Sequence, residues 1–364
     1  MNFFPSFGPG GFESPGYGFG MSDFGKGQKK IPEIIVQCKK VKNTSQLQDL
    51  GSLVSLGTES SESDIKVALC DFTLASLEKH QTVALILLIP PSFAPKELYN
   101  SFSYILDFLD KLPSRLQTGL ALKWVRSAIF ADLQNQLYDS KILHGLYEKN
   151  PDLYAAPYLY LCSAADHPIS METVFSGDVR INALTLYYSA INKMLLADYN
   201  AAEMDFIRAL TLSKKNRDMK DSILTKLSLC SFLNRTPEEI FKRRIPLSRS
   251  LPKIANEIWK FDRNLDLTFL PPFYKRFLSE IAYEHSRGVI LNLASTVTVI
   301  KLEEAQEFIG KEVPINVLLE NLKAEGTLIT TINEGYIYFN DTSKTQLYET
   351  KIKQVEQIFE SLNV

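Results

Sequence analysis

Residues Thr296 to Phe339 read TVTVIKLEEAQEFIGKEVPINVLLENLKAEGTLITTINEGYIYF, and the hydrophobic period changes several times along them. Thr296-Val-Thr-Val-Ile300 is a β-branched run suited to a short strand. Leu302 to Ile309 has apolar positions at helical spacing and stops at Gly310. Pro314 to Glu325 predicts another helix, with proline in its first turn, Val317, Leu318 and Leu322 as its stripe, and Gly326 as its stop. Thr327–Ile332 and Tyr336–Phe339 flank Asn333-Glu334-Gly335, a hairpin signal with Gly in a three-residue loop. Upstream, Phe273, Phe277 and Ile281 stripe one helix, and Val289, Leu291 and Leu293 lie on a shorter one.

Helix, strand, helix, helix and hairpin is the element order of a winged helix. A winged helix that reads DNA needs Arg, Lys, Asn or Gln on its third helix and a wing that tolerates phosphates. The exposed positions here are Asn316, Glu320, Asn321, Lys323 and Glu325, and the wing carries Glu334. Those carboxylates repel phosphate. The basic run Lys242-Arg243-Arg244 with Arg249 lies outside the module and reads as a solvated face. Nucleic acid is therefore disfavoured, and pairing of the sheet edge with another chain is the better expectation.

Beyond the wing, Tyr348, Ile352, Val355, Phe359 and Leu362 form a seam over two heptads, with Lys351, Lys353, Gln354 and Glu356 on the other faces. Such a helix can pack on its own domain or enter a bundle with helices of other chains.

Toward the N-terminus the pattern is helix after helix. Pro95 opens a stripe of Leu98, Phe102, Ile105, Leu106 and Leu109. Leu116, Leu120, Trp124 and Leu133 follow Pro113 in the same way. Thr236-Pro237-Glu238-Glu239 is a capping box, and Leu247, Leu251, Ile254 and Ile258 make a further stripe. In the pair Leu186–Met194 and Asp198–Ala209, small residues recur where two helices must approach closely. Ala190 is expected to face Ala202, with Tyr199 and Phe206 between neighbouring units and Ala209 closing the hairpin, as in a tetratricopeptide repeat. The expected architecture is mainly α: a disordered leader over 1–30, TPR-like helical repeats over 31–265, a winged-helix subdomain over 266–340 and a terminal helix over 341–364.

Composition agrees with this division. Eight of the 17 glycines lie within the first 27 residues, among Phe3, Phe4, Phe7, Phe12, Tyr17, Phe19 and Phe24. Aromatics spaced by Gly, Pro and Ser cannot converge on one packed face. Gly20 to Lys26 has the spacing of a phosphate-binding loop, but Gly27 stands where Ser or Thr must hold magnesium, and no strand precedes it. The acidic, Ser-rich stretch Gly57–Asp64 reads as a surface loop. A body left with nine glycines in 337 residues suits stacked helices better than an all-β or dinucleotide-binding fold.

A net charge of −2 argues against a protein built mainly to neutralise nucleic acid or an anionic membrane. The longest apolar run, Thr82–Ile89, is too short to span a bilayer. With no signal-peptide pattern, a cytoplasmic and nuclear location is expected. Sequons at Asn43, Asn234 and Asn340 are then chance matches. Cys38, Cys70, Cys162 and Cys230 are widely spaced and read as buried thiols.

The chain resembles the PCI family, the scaffold subunits of the proteasome lid, the COP-9 signalosome and translation initiation factor complexes. The resemblance is carried by Leu184–Ala209, Ile245-Pro246-Leu247-Ser248, Ile254–Ile258, Phe277–Leu293 and Ala324–Ile332, spanning roughly residues 95 to 345, with the PCI domain at about 180–340. It implies a non-catalytic subunit without cofactors, in an assembly that contains a separate metalloprotease subunit. Its partners would be other PCI subunits and, indirectly, cullin-RING ligases. The implied contacts are the winged-helix edge, Thr296, Val297, Thr298, Val299, Thr327, Ile329, Tyr336 and Tyr338, and the terminal-helix anchors Tyr348, Ile352, Val355, Phe359 and Leu362. The Gly/Phe-rich start is a departure from the family pattern, and the tail after residue 340 is short for it.

The chemical inventory points the same way. His80, His144, His167 and His285 stand apart, with no H-x-H, H-E-x-x-H or neighbouring Cys, and no Ser lies in G-x-S-x-G. Metal-assisted isopeptide hydrolysis needs two His brought together with an acid and a water activator.

Overall fold

The computed structural model describes residues 40–42, 46–47, 78–88, 95–213, 217–236, 258–261 and 272–339. The Gly/Phe-rich leader, the Ser-rich acidic stretch, Pro237–Glu239, the basic run and the seam from Tyr348 to Leu362 lie outside these residues. The chain is mainly α, with 13 α-helices and a small three-stranded antiparallel sheet near its C-terminus among the described residues. It divides into two compact units, Met1–Cys230 and Ser231–Val364.

The first unit contains α1 (Lys79–Leu88), α2 (Pro95–Ile105), a 3-10 turn (Leu106–Lys111), α3 (Ser114–Phe130), α4 (Gln134–Asp139), α5 (Ile142–Lys149), α6 (Pro151–Ala164), α7 (Val179–Leu195), α8 (Tyr199–Leu212) and most of α9 (Arg217–Leu233). Leu98, Phe102 and Ile105 are buried on α2, and Leu116, Leu120 and Trp124 on α3, with Phe102 stacked on Trp124 at 5.4 Å. The expected stripe through Leu133 is broken, because α3 ends at Phe130 and Asp132 takes a left-handed φ of 57°.

Two buried polar devices fix the middle of this unit. Pro157 sits inside α6 and has no N–H to give to the carbonyl four residues earlier. That carbonyl, on Leu153, instead accepts Thr118 Oγ1 of α3 at 2.9 Å. Asn192, fully buried on α7, donates to the Leu159 and Tyr188 carbonyls at 2.8 Å each and accepts Ile169 N–H at 3.1 Å. One amide thus ties α6, α7 and their connection together. In the α7–α8 pair, Ala190, Ala202, Phe206 and Ala209 are all fully buried. Lys193 reaches Asp205 at 2.5 Å and Ser189 donates to the same carboxylate at 2.8 Å.

In the second unit, α10 (Pro272–Lys275) is one short turn, and α11 runs unbroken over Leu278–Thr296. The separate shorter helix expected around Val289 is therefore part of α11. Then follow β1 (Val299–Lys301), α12 (Leu302–Ile309), α13 (Ile315–Ala324), β2 (Thr330–Asn333) and β3 (Tyr336–Phe339). Ile309, Ile315, Leu318, Leu322, Ile337 and Phe339 are among the residues of its buried core.

Three boundaries differ from the sequence reading, each for a local reason. Thr296 belongs to α11: its hydroxyl bonds back to the carbonyls of Asn292 and Leu293, and Val297 N–H still donates to Leu293 at 2.8 Å. The strand after α13 starts at Thr330, because Thr327 and Leu328 N–H both donate to the Leu322 carbonyl and finish the helix stop around Gly326, φ 69°. The hairpin turn is two residues long. Asn333 pairs with Tyr336, leaving Glu334 (φ 51°) and Gly335 (φ 78°) in the left-handed conformation that suits strand twist.

Candidate partner-binding surface

The sheet order is β1-β3-β2, so the last strand is the central one. Val299 and Thr331 both lie opposite Tyr338, while Lys301 and Asn333 both lie opposite Tyr336. Residues opposite each other share a face. These six side chains therefore form two rows on one face of the sheet, and all six are exposed. The other face carries Ile337 and Phe339 into the core. Val297 and Ile329, just ahead of β1 and β2, add to the exposed apolar side chains. Val297, Val299, Ile329, Tyr336 and Tyr338 are each between 37 and 42% exposed.

The eight edge positions named from sequence separate into distinct groups. Tyr336 and Tyr338 are on the central strand, so they offer side chains and no free edge. Val299 is on an edge strand. Thr296 closes α11, Val297 and Thr298 link it to β1, Thr327 belongs to the stop of α13, and Ile329 precedes β2.

Which backbone groups remain open follows from the register. Phe339 N–H donates to Thr298 O at 2.9 Å and Leu302 N–H to Gly335 O at 2.8 Å. The odd-numbered residues of β3 thus pair with β1, and by alternation the even-numbered ones pair with β2. Val299 and Lys301 then direct their amides and carbonyls to one edge, and Thr330 and Ile332 to the other, and among the described residues neither edge has a strand partner. Lys301 guards the first edge with a charge. The second has no charge or proline, and Ile332 is 50% exposed there. Lys301, Thr331 and Asn333 were missed from sequence, because only the cross-strand register brings them to this face; Ile332, also missed, lies opposite Ile337 on the other face and is exposed at the strand edge.

Helix α13 presents Asn316, Val317, Glu320, Asn321 and Lys323 to solvent. Glu325 is not a free carboxylate: it pairs with Arg235 at 3.3 Å and Arg287 at 3.4 Å. Arg235 also pairs with Glu284 at 2.8 Å, and that hydrogen bond, with both glutamates' charge, raises its affinity for its proton. The connection from α12 to α13 is held by Gln306, whose amide donates to the carbonyls of Gly310 and Val313 and accepts Ile315 N–H at 2.9 Å. Nearby, Phe232, Trp259, Phe261, Arg287, Gly288 and Leu291 help line a cleft of about 620 Å³.

Among the described residues the reactive side chains do not converge. No group of three or more His, Cys, Asp or Glu that could hold a metal occurs among the described residues. Burial pushes the Cys162 thiol up to about 11 and raises Cys230 as well, which disfavours a thiolate at either. His285 is buried, with Nε2 2.9 Å from the Lys260 carbonyl. His144 stacks on Tyr158, and His167 on Tyr138. No described helix is long and apolar enough to cross a membrane.

Comparison with known proteins adds no family assignment: no family model matches the chain, and no curated protein matches its sequence. The physical content of the surface is what remains. It is an apolar, tyrosine-bearing face with two strand edges that have no strand partner among the described residues.

Proposed function

We propose that this chain is a non-catalytic scaffold subunit of a multi-subunit assembly, and that residues 266–340 form a winged helix of the PCI type following a TPR-like solenoid over 31–265. Five apolar side chains exposed together beside open strand edges carry this reading. The order α11-β1-α12-α13-β2-β3 and the close-packed small residues of α7 and α8 support it. Among PCI assemblies the resemblance is greatest to the COP-9 signalosome, and within it to subunit 3. On this reading the chain supports removal of a ubiquitin-like modifier from cullin-RING ligases. It does so by holding other PCI subunits and a metalloprotease subunit together, through PCI–PCI contacts and the terminal helix.

Mass spectrometry of a native pull-down of the full chain tests the proposal. Recovery of signalosome PCI subunits with a metalloprotease subunit is the expected result. Proteasome or ribosomal partners would move the scaffold to the lid or to an initiation factor complex. Salt-sensitive binding to duplex DNA without protein partners would replace the scaffold reading by that of a nucleic-acid-binding winged helix. Cleavage of a cullin conjugate by the purified chain alone would overturn its non-catalytic character.

A further inference from the structure

On α11, Glu284, Arg287, Gly288 and Leu291 fall at positions i, i+3, i+4 and i+7, so they share one face of the helix. That face lines the cleft of about 620 Å³ in the second unit, a volume within the range of small-molecule sites. Phe232, Arg235 and the segment Trp259–Phe261 supply much of the rest of the lining.

Gly288 sets the apolar side of the cleft. The Phe261 ring lies so close to it that an added Cβ would run into the ring. Phe232 stacks on Phe261 at 6.3 Å and meets Trp259 edge-on at 5.7 Å, which fixes the three rings as one group. Phe261 and Leu291 are only half-buried, so each keeps apolar surface for a ligand to cover.

The polar side is unevenly satisfied. Arg235 grips Glu284 with a fork, Nε at 3.0 Å and Nη2 at 2.8 Å, and reaches Glu325 at 3.3 Å. Arg287 has far less. Its side chain is 16% exposed, and its one hydrogen bond among the described residues is the long contact to Glu325 at 3.4 Å. Its Nε–H is buried with no acceptor. Native structures leave few buried donors unmet, and a guanidinium with its fork unfilled suits the paired oxygens of an oxyanion. Counting the described charges that line the cleft or pair with its arginines, Arg235, Lys260 and Arg287 stand against Glu284 and Glu325. One positive charge is left over.

We propose that this cleft binds a small organic anion, whose carboxylate, sulfonate or phosphate oxygens accept from Arg287 while a ring system lies against Phe261 and Leu291. The site uses none of the exposed sheet residues, so it goes beyond the scaffold reading and stands or falls independently of it.

Fluorescence titration of the full chain tests this with two probes that share one ring system. Anilinonaphthalenesulfonate carries the anion, and phenylnaphthylamine lacks it. The expected result is one saturable site per chain that prefers the sulfonate by at least about tenfold. Arg287→Met should abolish that preference and leave affinity for the uncharged probe within about twofold of wild type. Where Arg287→Met unfolds the chain, Arg287→Lys decides: it keeps the charge, loses the fork and should still cut the preference about threefold or more. Leu291→Trp fills the cleft and should lower binding of both probes at least about tenfold. Tyr338→Glu, on the sheet face, should leave both titrations unchanged. Absence of a saturable site, equal affinity for the two probes, or a sulfonate preference untouched by the Arg287 variants would overturn the proposal. So would binding that survives Leu291→Trp, or binding lost in Tyr338→Glu, which would put the probes on the sheet instead.

Discussion

Thr118 and Leu153 are joined by a hydrogen bond that exists because of a third residue. Pro157 leaves the Leu153 carbonyl without its helical donor, and the Thr118 hydroxyl takes that place at 2.9 Å. Thr118→Val keeps the shape and removes the donor, so it should cost about 1–3 kcal/mol in denaturant unfolding. Thr118→Ser should cost less. In a Pro157→Ala background the backbone N–H returns, and the penalty of Thr118→Val should shrink.

Gln306 makes three hydrogen bonds across the α12–α13 connection. Gln306→Leu should destabilise the second unit by about 2 kcal/mol and speed hydrogen exchange at the Ile315 amide. Gln306→Glu keeps the acceptor for Ile315 but turns a carboxylate toward the Gly310 and Val313 carbonyls. Its penalty should be larger at neutral pH than in acid, where the protonated side chain can donate to one of them.

Gly288→Ala would ordinarily strengthen a helix by about 1 kcal/mol. Here an added Cβ would run into the Phe261 ring, so the substitution should destabilise instead and shift the fluorescence of neighbouring Trp259. In a Phe261→Ala background the sign should revert.

Lys123, half-buried on α3, donates to the Leu87 carbonyl at 2.7 Å. Burial, helped by the charge of Arg126, brings it down to about 7. The unfolded chain then binds more protons than the folded one between about pH 7 and the ordinary lysine range, so this group makes stability rise with pH across that window. Lys123→Met should flatten the rise and stabilise the chain most at the lower end of the window. Unfolding free energies for both proteins between pH 6.5 and 9.5 check this.

Tyr338→Glu and Ile332→Lys charge the exposed sheet face and the open β2 edge. Neither side chain is buried, so each should leave the unfolding midpoint within about 0.5 kcal/mol of wild type while reducing recovery of assembly partners. Ile352, Val355 and Phe359 changed together to Asp test the terminal helix separately. Loss of partners with a folded body places it in a shared bundle, and unfolding of the isolated chain places it in the protein's own core.

Local signals carried much of the architecture. Leu318 and Leu322 at helical spacing, the stop at Gly326 and the glycine of the wing turn reported α13 and the hairpin, because each depends on a few neighbouring residues. Ala190 and Ala202 marked a close helix pair for the same reason. The exposed sheet face was half legible: its tyrosines and valines were named, but their grouping depends on a register set by Asn333 meeting Tyr336. The Thr296 hydroxyl competed successfully for helix against a β-rich run. Thr118 and Leu153 lie 35 residues apart, and nothing near either position announces the bond.

The strand order also constrains synthesis. β1 and β2 each pair with β3 and not with each other, and β3 is the last described element of the chain. A nascent polypeptide emerging from the ribosome must therefore carry two unsatisfied strands until Tyr336–Phe339 appears. Folding of this module is then a late, all-at-once event, and a chain cut short before Tyr336 leaves both earlier strands as sticky edges.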